Sequence, residues 1–315
     1  MKERGYFNAY LHNGDIDFDR QQEFLLSHSF DAVHGRQELQ TAFAEKMLGS
    51  CPRSSWGIHD EYLMRYAKDF LGRKEKEGKP CFLYLFTISN HHPWRLPQGA
   101  VKHSFLTPEG VSEAPFLQTM HYSDHWMGWF IEQLRVQGLL EKSLVFIFGD
   151  HGQPLGEHGA KFQQREAIYE EGVRVPLLLL GKGMHPQVID EVAGHIDLLP
   201  TLLDTLDIGG VHHSIGRSLR RQQEESEARF FTPFFPTTLG CRKERWKFIH
   251  NPVSGEDELF DIWKDPGETV NLAQTQAGVA TAMRSRVLGE RSLFEELYRK
   301  KAFFPCQQFG QQFGQ

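Results

Sequence analysis

An α/β fold is expected for this chain: a mainly parallel sheet sandwiched by helices, followed by a small antiparallel C-terminal subdomain. Three observations point to it. Apolar, β-prone runs alternate with stretches of helical periodicity up to about residue 208. Two of those runs, PCFLYLFTIS (80–89) and SLVFIFGD (143–150), are continuous rather than alternating in their apolar part, as in strands covered on both faces. Beyond residue 208 the texture changes to short strand candidates.

The elements follow in order. Residues 5–11 (GYFNAYL) read as a short strand, and a polar loop runs from His12 to Arg20. Residues 58–72 place Tyr62, Leu63, Tyr66 and Phe70 at helical spacing, with Gly72 as the expected stop. The charges in GRKEKEGK (72–79) mix signs and read as a solvated helix end. The strand at 80–89 runs into the proline-punctuated loop NHHPWRLP (90–97). A helix is predicted over 115–137, with Phe116, Met120, Met127, Phe130 and Leu134 on one stripe. Strands are expected in SLVFIFGD and VPLLLLG (175–181). A helix over 195–208 is entered through Asp197, with Pro200 tolerated in its first turn. ARFFTPFF (228–235), RWKFIH (245–250) and DELFDI (257–262) are strand candidates, and a last helix covers 277–301. The expected organisation is therefore a core over 1–208, a C-terminal subdomain over 209–302, and a low-complexity tail over 303–315 built on a QQFGQ repeat.

Composition narrows the function. A net charge of −6 without a dominant basic run excludes a general nucleic-acid binder. The four cysteines, Cys51, Cys81, Cys241 and Cys306, have no CxxC spacing and define neither a zinc site nor a disulfide framework. No apolar run approaches the ~18 residues that span a bilayer, and MKERGYFNAY lacks the apolar centre of a signal peptide. Taken literally, the chain is expected to be soluble and unexported.

Ligands in open α/β sheets bind at the carboxyl ends of strands. Three polar clusters fall at such ends: His12-Asn13-Gly14-Asp15, Asn90-His91-His92-Pro93 and Asp150-His151-Gly152. Asp150 and His151 offer one hard oxygen and one borderline nitrogen, which suits Zn²⁺ or Mn²⁺ better than Ca²⁺. Adjacent side chains on an extended strand point apart, so both reach one ion only through a turn that Gly149 or Gly152 would permit. An Asp-His-Gly turn is equally an ordinary strand exit, and His91-His92 equally a loop pair bonded to backbone.

At these residues the sequence resembles a family. FGDHG…LGEHG, IYEEGVRVPLLLLG and HIDLLPTLLDTLDI are similar to the metal-binding half of sulfatase-like members of the alkaline phosphatase superfamily. WGIHDEYL, PCFLYLFTISNHHPW and the opening GYFNAYLHNGD resemble the lipoteichoic acid synthase and phosphoglycerol transferase branch. RWKFIHNPVSGEDELFDIWKDPGETVNLA resembles the C-terminal subdomain of sulfatases. The matching segments run from about residue 5 to 273 in the family's order.

The resemblance implies an alkaline phosphatase-like fold and a metal-dependent phospho- or sulfo-ester transferase or hydrolase, the phosphoglycerol transferase type ahead of a sulfatase. Asp150 and His151 match metal ligands; Mn²⁺ or Zn²⁺ is favoured, with Ca²⁺ and Mg²⁺ left open. His91 and His12 match catalytic histidines of the transferase branch, and Arg20 lies near its anion-contacting arginine. His158 is a substrate group, a support of the metal site or a loop cap. Lys161 or Arg165 supplies a further cation beside the substrate anion. His195 and Asp197 read as a packing residue and a helix N-cap, and Lys247 and Asp265 as structural. The implied substrate is a phosphate or sulfate ester, a lipid head group among the candidates. The implied setting is extracytoplasmic, in a membrane-anchored parent.

The family's nucleophile and further acidic metal ligands lie upstream of the matching region, so the chain is expected to be N-terminally truncated. The alternative function is then an inactive remnant keeping part of the metal and anion site. Cys51 does not substitute for the nucleophile, because Pro52 and Arg53 follow it at the wrong spacing.

Overall fold

The computed structural model describes residues 1–45, 56–104, 114–159, 168–209, 214–221, 226–232 and 237–300. Cys51, Lys161, Arg165 and the 303–315 tail lie outside them. The chain forms two compact units, one of residues 1–145 and 180–184, the other of 146–179 and 185–315.

In the first unit, β1 (Phe7–His12) is flanked by β2 (Ala32–His34) and β3 (Cys81–Phe86), in the order β2-β1-β3, all parallel. The expected parallel sheet is therefore present. Helices α1 (Gln21–Ser27) and α2 (Arg36–Glu45) follow β1 and β2. Helix α3 (Asp60–Lys76) leads into β3, and α4 (Ala114–Val136) follows it. One sheet face turns Ala9 and Leu11, with Leu83 and Leu85, onto Leu63, Met64, Ala67 and Phe70 of α3 and Phe130 and Leu134 of α4. The other face stacks Tyr10 on Tyr84, ring centroids 5.5 Å apart, and packs Tyr10 with Ile16 and Val33. The register pairs Phe7 with Cys81 and His12 with Phe86, so β1 and β3 end level. His12, at the end of β1, and the turn that carries His91 after β3 thus lie at the same end of the sheet.

Three sequence expectations shift. Gly72 does not stop its helix; α3 runs to Lys76, and Gly78 (φ +66°) takes the left-handed position two residues beyond. Met120 is not on the buried stripe of α4 and is 43% exposed. Thr119 and Ser123 take the buried places instead, Ser123 because its hydroxyl reaches a buried carboxylate. Strand β2 was not anticipated, being only three residues long.

β4 (Leu144–Phe148) and β5 (Leu177–Gly181) pair as a two-stranded sheet. The second unit also holds the turn α5 (Glu170–Val173) and helix α6 (Leu198–Thr205). A four-stranded antiparallel sheet follows, β6 (Glu227–Phe231), β7 (Leu239–Lys243), β8 (Trp246–His250) and β9 (Asp257–Asp261), then α7 (Ala277–Arg299). The small antiparallel sheet was expected, but β7 (LGCRK) was not among its candidates. Its place rests on Gly240, where an added Cβ would lie 2.5 Å from the Phe230 ring.

Asp197 precedes α6 as expected, yet its carboxylate serves the turn before the helix and a distant segment. It accepts from Gly194 N (2.9 Å) and Arg217 N (2.9 Å). Ala280, Met283 and Val287 of α7 cover one side of the antiparallel sheet, and Ile168, Tyr169 and Val173 pack on Ile249, Phe260 and Ile262. Both contacts lie within the second unit. No helix among the described residues is long and apolar enough to cross a membrane.

Candidate active site

The first unit places His12 and His91 at neighbouring strand ends. His12 is the last residue of β1 and is 3% exposed. Its Nδ1 donates to the Phe86 carbonyl at 2.8 Å, because a carbonyl can only accept. The proton is thereby held on Nδ1, and Nε2 carries the lone pair. Burial pushes the His12 pKa below the ordinary imidazole value, against the Phe86 bond and the charges of Asp60 and Asp15. Gly14 is required here by close approach: an added Cβ would lie 2.2 Å from His12 Nε2.

His91 sits in the turn after β3, where its N–H donates to Ile88 O (3.0 Å) and its carbonyl accepts from Trp94 N (3.2 Å). His91 Nδ1 donates to His92 O at 2.8 Å, so its Nε2 also carries the lone pair in the neutral ring. The Trp56 ring lies 4.4 Å from the His91 ring, and Trp56 Nε1 donates to the same His92 carbonyl at 3.0 Å. Arg20 has left-handed backbone (φ 57°) and is held by Glu23, at 2.8 Å through Nε and 2.6 Å through a terminal nitrogen.

Asp60 is not among the residues that the sequence motifs mark. Its side chain is fully buried and accepts from Asn13 Nδ2 (2.9 Å), Ile88 N (3.1 Å), Ser89 N (3.0 Å) and Ser123 Oγ (2.7 Å). An aspartate at a helix start reads as a dipole partner, and only the polar positions 119 and 123 in an otherwise apolar helical stripe hinted at a buried acceptor.

In the second unit, Asp150 and His151 follow β4. His151 N–H donates to Asp150 Oδ1 (2.9 Å), and His151 Nδ1 donates to Gly152 O (2.8 Å). Nε2 is left facing Asp150 Oδ2 at 3.6 Å. Two donors each about 2.0–2.2 Å from one ion stand roughly 3.3–3.6 Å apart in tetrahedral geometry, so the pair suits a single divalent cation. Backbone fixing of the far ring nitrogen is the usual support of a ligating histidine.

The turn does bring the two side chains together. Gly152 contributes through contact: an added Cβ would lie 2.2 Å from Glu171 O, and its N–H donates to Gly172 O at 2.9 Å. His195, expected only to pack, also braces this turn through Nε2 to Gly149 O (2.8 Å). Among the described residues no group of three or more His, Cys, Asp or Glu is placed to hold a metal. Asp150 and His151 are two donors, fewer than the three or four of a closed site.

Both nitrogens of His158 are engaged, Nδ1 with Glu171 Oε1 (2.7 Å) and Nε2 with Glu268 O (3.3 Å), and the ring stacks on Tyr169 at 3.8 Å. Burial works against its charge, but the Glu171 hydrogen bond and charge and the Glu268 contacts outweigh it, and the pKa is raised. This is the geometry of a loop clasp, one of the roles expected for it.

The Sulfatase family model matches residues 1–208. Phosphoglycerol transferase I of Xanthomonas campestris pv. campestris is 30% identical over 224 residues, which cover 70% of this chain and 30% of that protein. Among solved structures, a protein in the alkaline phosphatase superfamily from Vibrio parahaemolyticus aligns with a TM-score of 0.74 at 21% identity, over 96% of this chain and 67% of that one. The lipoteichoic acid synthase LtaP from Listeria monocytogenes aligns with a TM-score of 0.67 at 20% identity, over 93% and 71%. The fold is thus that of the alkaline phosphatase superfamily, and the chain spans 30% of the length of the curated transferase it matches.

Proposed function

Because this chain belongs to the sulfatase family, we propose that it carries part of the site of a metal-dependent phospho- or sulfo-ester transferase or hydrolase. The observation that carries the proposal is the convergence of Asp150 Oδ2 and His151 Nε2 at 3.6 Å with Nδ1 tied to Gly152 O. Asp150 and His151 would hold a divalent cation, Mn²⁺ or Zn²⁺ by donor type. When bound, the ion supplies charge neutralisation for the ester anion and lowers the pKa of a coordinated hydroxyl.

In the first unit the proposed roles belong to its own side chains. His12, neutral with its lone pair on Nε2, accepts a hydrogen bond or a proton. His91, once its Nε2 has taken up a proton, hands that proton to the leaving alcohol. Arg20 contacts the anion after exchanging Glu23 for it, and an exposed pair of this kind resists by only about 0–1 kcal/mol. The second cation, Lys161 or Arg165, belongs to the same proposal. His158 supports the loop rather than the substrate.

A phosphoglycerol-type transferase acting on a lipid head group outside the cytoplasm is favoured over a sulfatase. Supporting it are the match to a phosphoglycerol transferase and the histidines at both strand ends of the first unit. Calorimetry on the whole chain tests the metal site. Mn²⁺ or Zn²⁺ should bind stoichiometrically and Asp150→Ala should abolish binding; an unchanged isotherm would refute the assignment.

A further inference from the structure

His12 ends β1, paired with Phe86 of β3, and His91 lies in the turn that follows β3. One buried carboxylate ties the residue after His12 to the two residues at the start of that turn. Asp60, the first residue of α3, is 0% exposed, and removing an ionised carboxylate from water is costly unless its lone pairs are filled. Four donors engage them. Oδ1 accepts from Asn13 Nδ2, which follows His12, and from Ile88 N and Ser89 N, which precede His91. Oδ2 accepts from Ser123 Oγ on α4. The Asp60 N–H returns a bond to Ser89 Oγ at 3.0 Å, and Asn13 Nδ2 also donates to Ile58 O at 2.7 Å. The α3 N-terminus adds a favourable dipole. Three donors on Oδ1 and one on Oδ2 use most of the acceptor capacity of this carboxylate.

We propose that Asp60 is the positioning residue of the candidate site, tying the His12 strand end to the His91 turn so that the two imidazoles hold one spacing. The proposal rests on the reading of His12 and His91 as active-site groups, and it adds what sets their geometry. Asp60 acts only through them and is not itself catalytic. The charges of Asp60 and Asp15 both favour the protonated His12 ring, which meets the Tyr10 and Phe86 rings at 6.2 and 4.9 Å. Loss of the Asp60 charge therefore has a signature that simple loosening of the fold lacks.

The test uses the whole chain labelled at the histidine Cε1 positions, with resonances assigned through His12→Gln and His91→Gln. Asp60→Asn keeps a carbonyl oxygen at Oδ1 and turns its NH₂ to Ser123, whose hydroxyl can accept, so the fold is retained. The His12 pKa should fall, both imidazole resonances should shift, and inorganic phosphate should bind about tenfold more weakly, the worth of one charge-assisted contact. Ser89→Ala should shift His91 and leave the His12 pKa alone. Should Asp60→Asn fail to fold, Asn13→Ala and Ser89→Ala decide, through separate shifts of His12 and His91.

A lower melting temperature with both resonances and the His12 pKa unchanged would overturn the proposal. If phosphate perturbs neither histidine in the unmodified chain, the anion-site reading falls. Asp60 as the tie between the strand ends then stands or falls on the Asp60→Asn shifts alone.

Discussion

Replacing Lys247 by methionine removes a buried cation with no route to water. Lys247 is 0% exposed; its Nζ lies 2.9 Å from Glu268 Oε1 and 3.2 Å from Glu170 Oε1 and packs over the Phe230 ring at 5.3 Å. The 2.9 Å contact is off hydrogen-bond geometry, so the attraction to Glu268 is charge on charge. Glu170 keeps a partner in Arg242 at 2.9 Å, whereas the Glu268 side chain, 1% exposed, loses its cation. Breaking such a pair from one side costs about 3–5 kcal/mol. At roughly 2–4 °C per kcal/mol for a unit of this size, the melting temperature should fall by about 6–20 °C.

Adding Glu268→Gln should recover a large part of that loss, since the stranded charge is then gone. Burial already raises the Glu268 pKa, with Lys247 opposing, and without the lysine the rise is larger. A carboxyl raised on folding contributes stability below its unfolded value, about 4.3, and loses it as pH climbs through the folded value. The Lys247→Met deficit should therefore shrink between pH 7 and pH 5. Urea unfolding at both pH values measures it. A deficit below about 1 kcal/mol, or a double variant no better than Lys247→Met, would refute the reasoning.

Two further outcomes are expected. His158→Gln should cost about 1–3 kcal/mol at pH 6, where the ring donates to both Glu171 and Glu268. A raised imidazole pKa gives stability that is complete below about 6.5 and lost as pH rises through the folded value, so the deficit should narrow by pH 9, and equal deficits by urea unfolding would contradict a charged ring. Gly152→Ala forces its Cβ to within 2.2 Å of Glu171 O, so about 1–3 kcal/mol of stability should go, with Mn²⁺ affinity falling alongside in calorimetry. Intact affinity would mean that the Asp150–His151 turn does not depend on that contact.

What the sequence disclosed and what it hid follow from range. The strand at 80–89, the helix over 115–137 and the turn after Asp150 are written in local periodicity, and each is present within a few residues. Strands β2 and β7 escaped because three residues, or Leu-Gly-Cys-Arg-Lys, carry too little β-propensity to register. Met120 was misplaced on the buried face for a different reason. Hydrophobicity predicts the stripe of α4 only while the opposing surface is apolar, and opposite Ser123 it is the Asp60 carboxylate, 63 residues away. Asp60 itself could not be read, because its partners lie 28 to 63 residues away. The Lys247 network draws on residues 170, 247 and 268 in the same way.

The histidines carry the same lesson into chemistry. His12, His91, His151 and His158 each stand beside glycine, asparagine or another histidine, and composition does not distinguish them. Their hydrogen-bond partners do. Phe86 O, His92 O and Gly152 O each take the Nδ1 proton of one ring, which forces the lone pair of His12, His91 and His151 onto Nε2, the atom that can accept a proton or meet a cation. His158 meets an acceptor at both nitrogens, a carboxylate and a carbonyl, and both can be satisfied only if both nitrogens bear hydrogen. A doubly protonated ring has no lone pair to offer a metal. The pattern Asp-His…His therefore divides into proposed ligands and a clasp through backbone carbonyls and one glutamate. Moving Glu171 alone would change the role open to His158 without altering any residue of the motif.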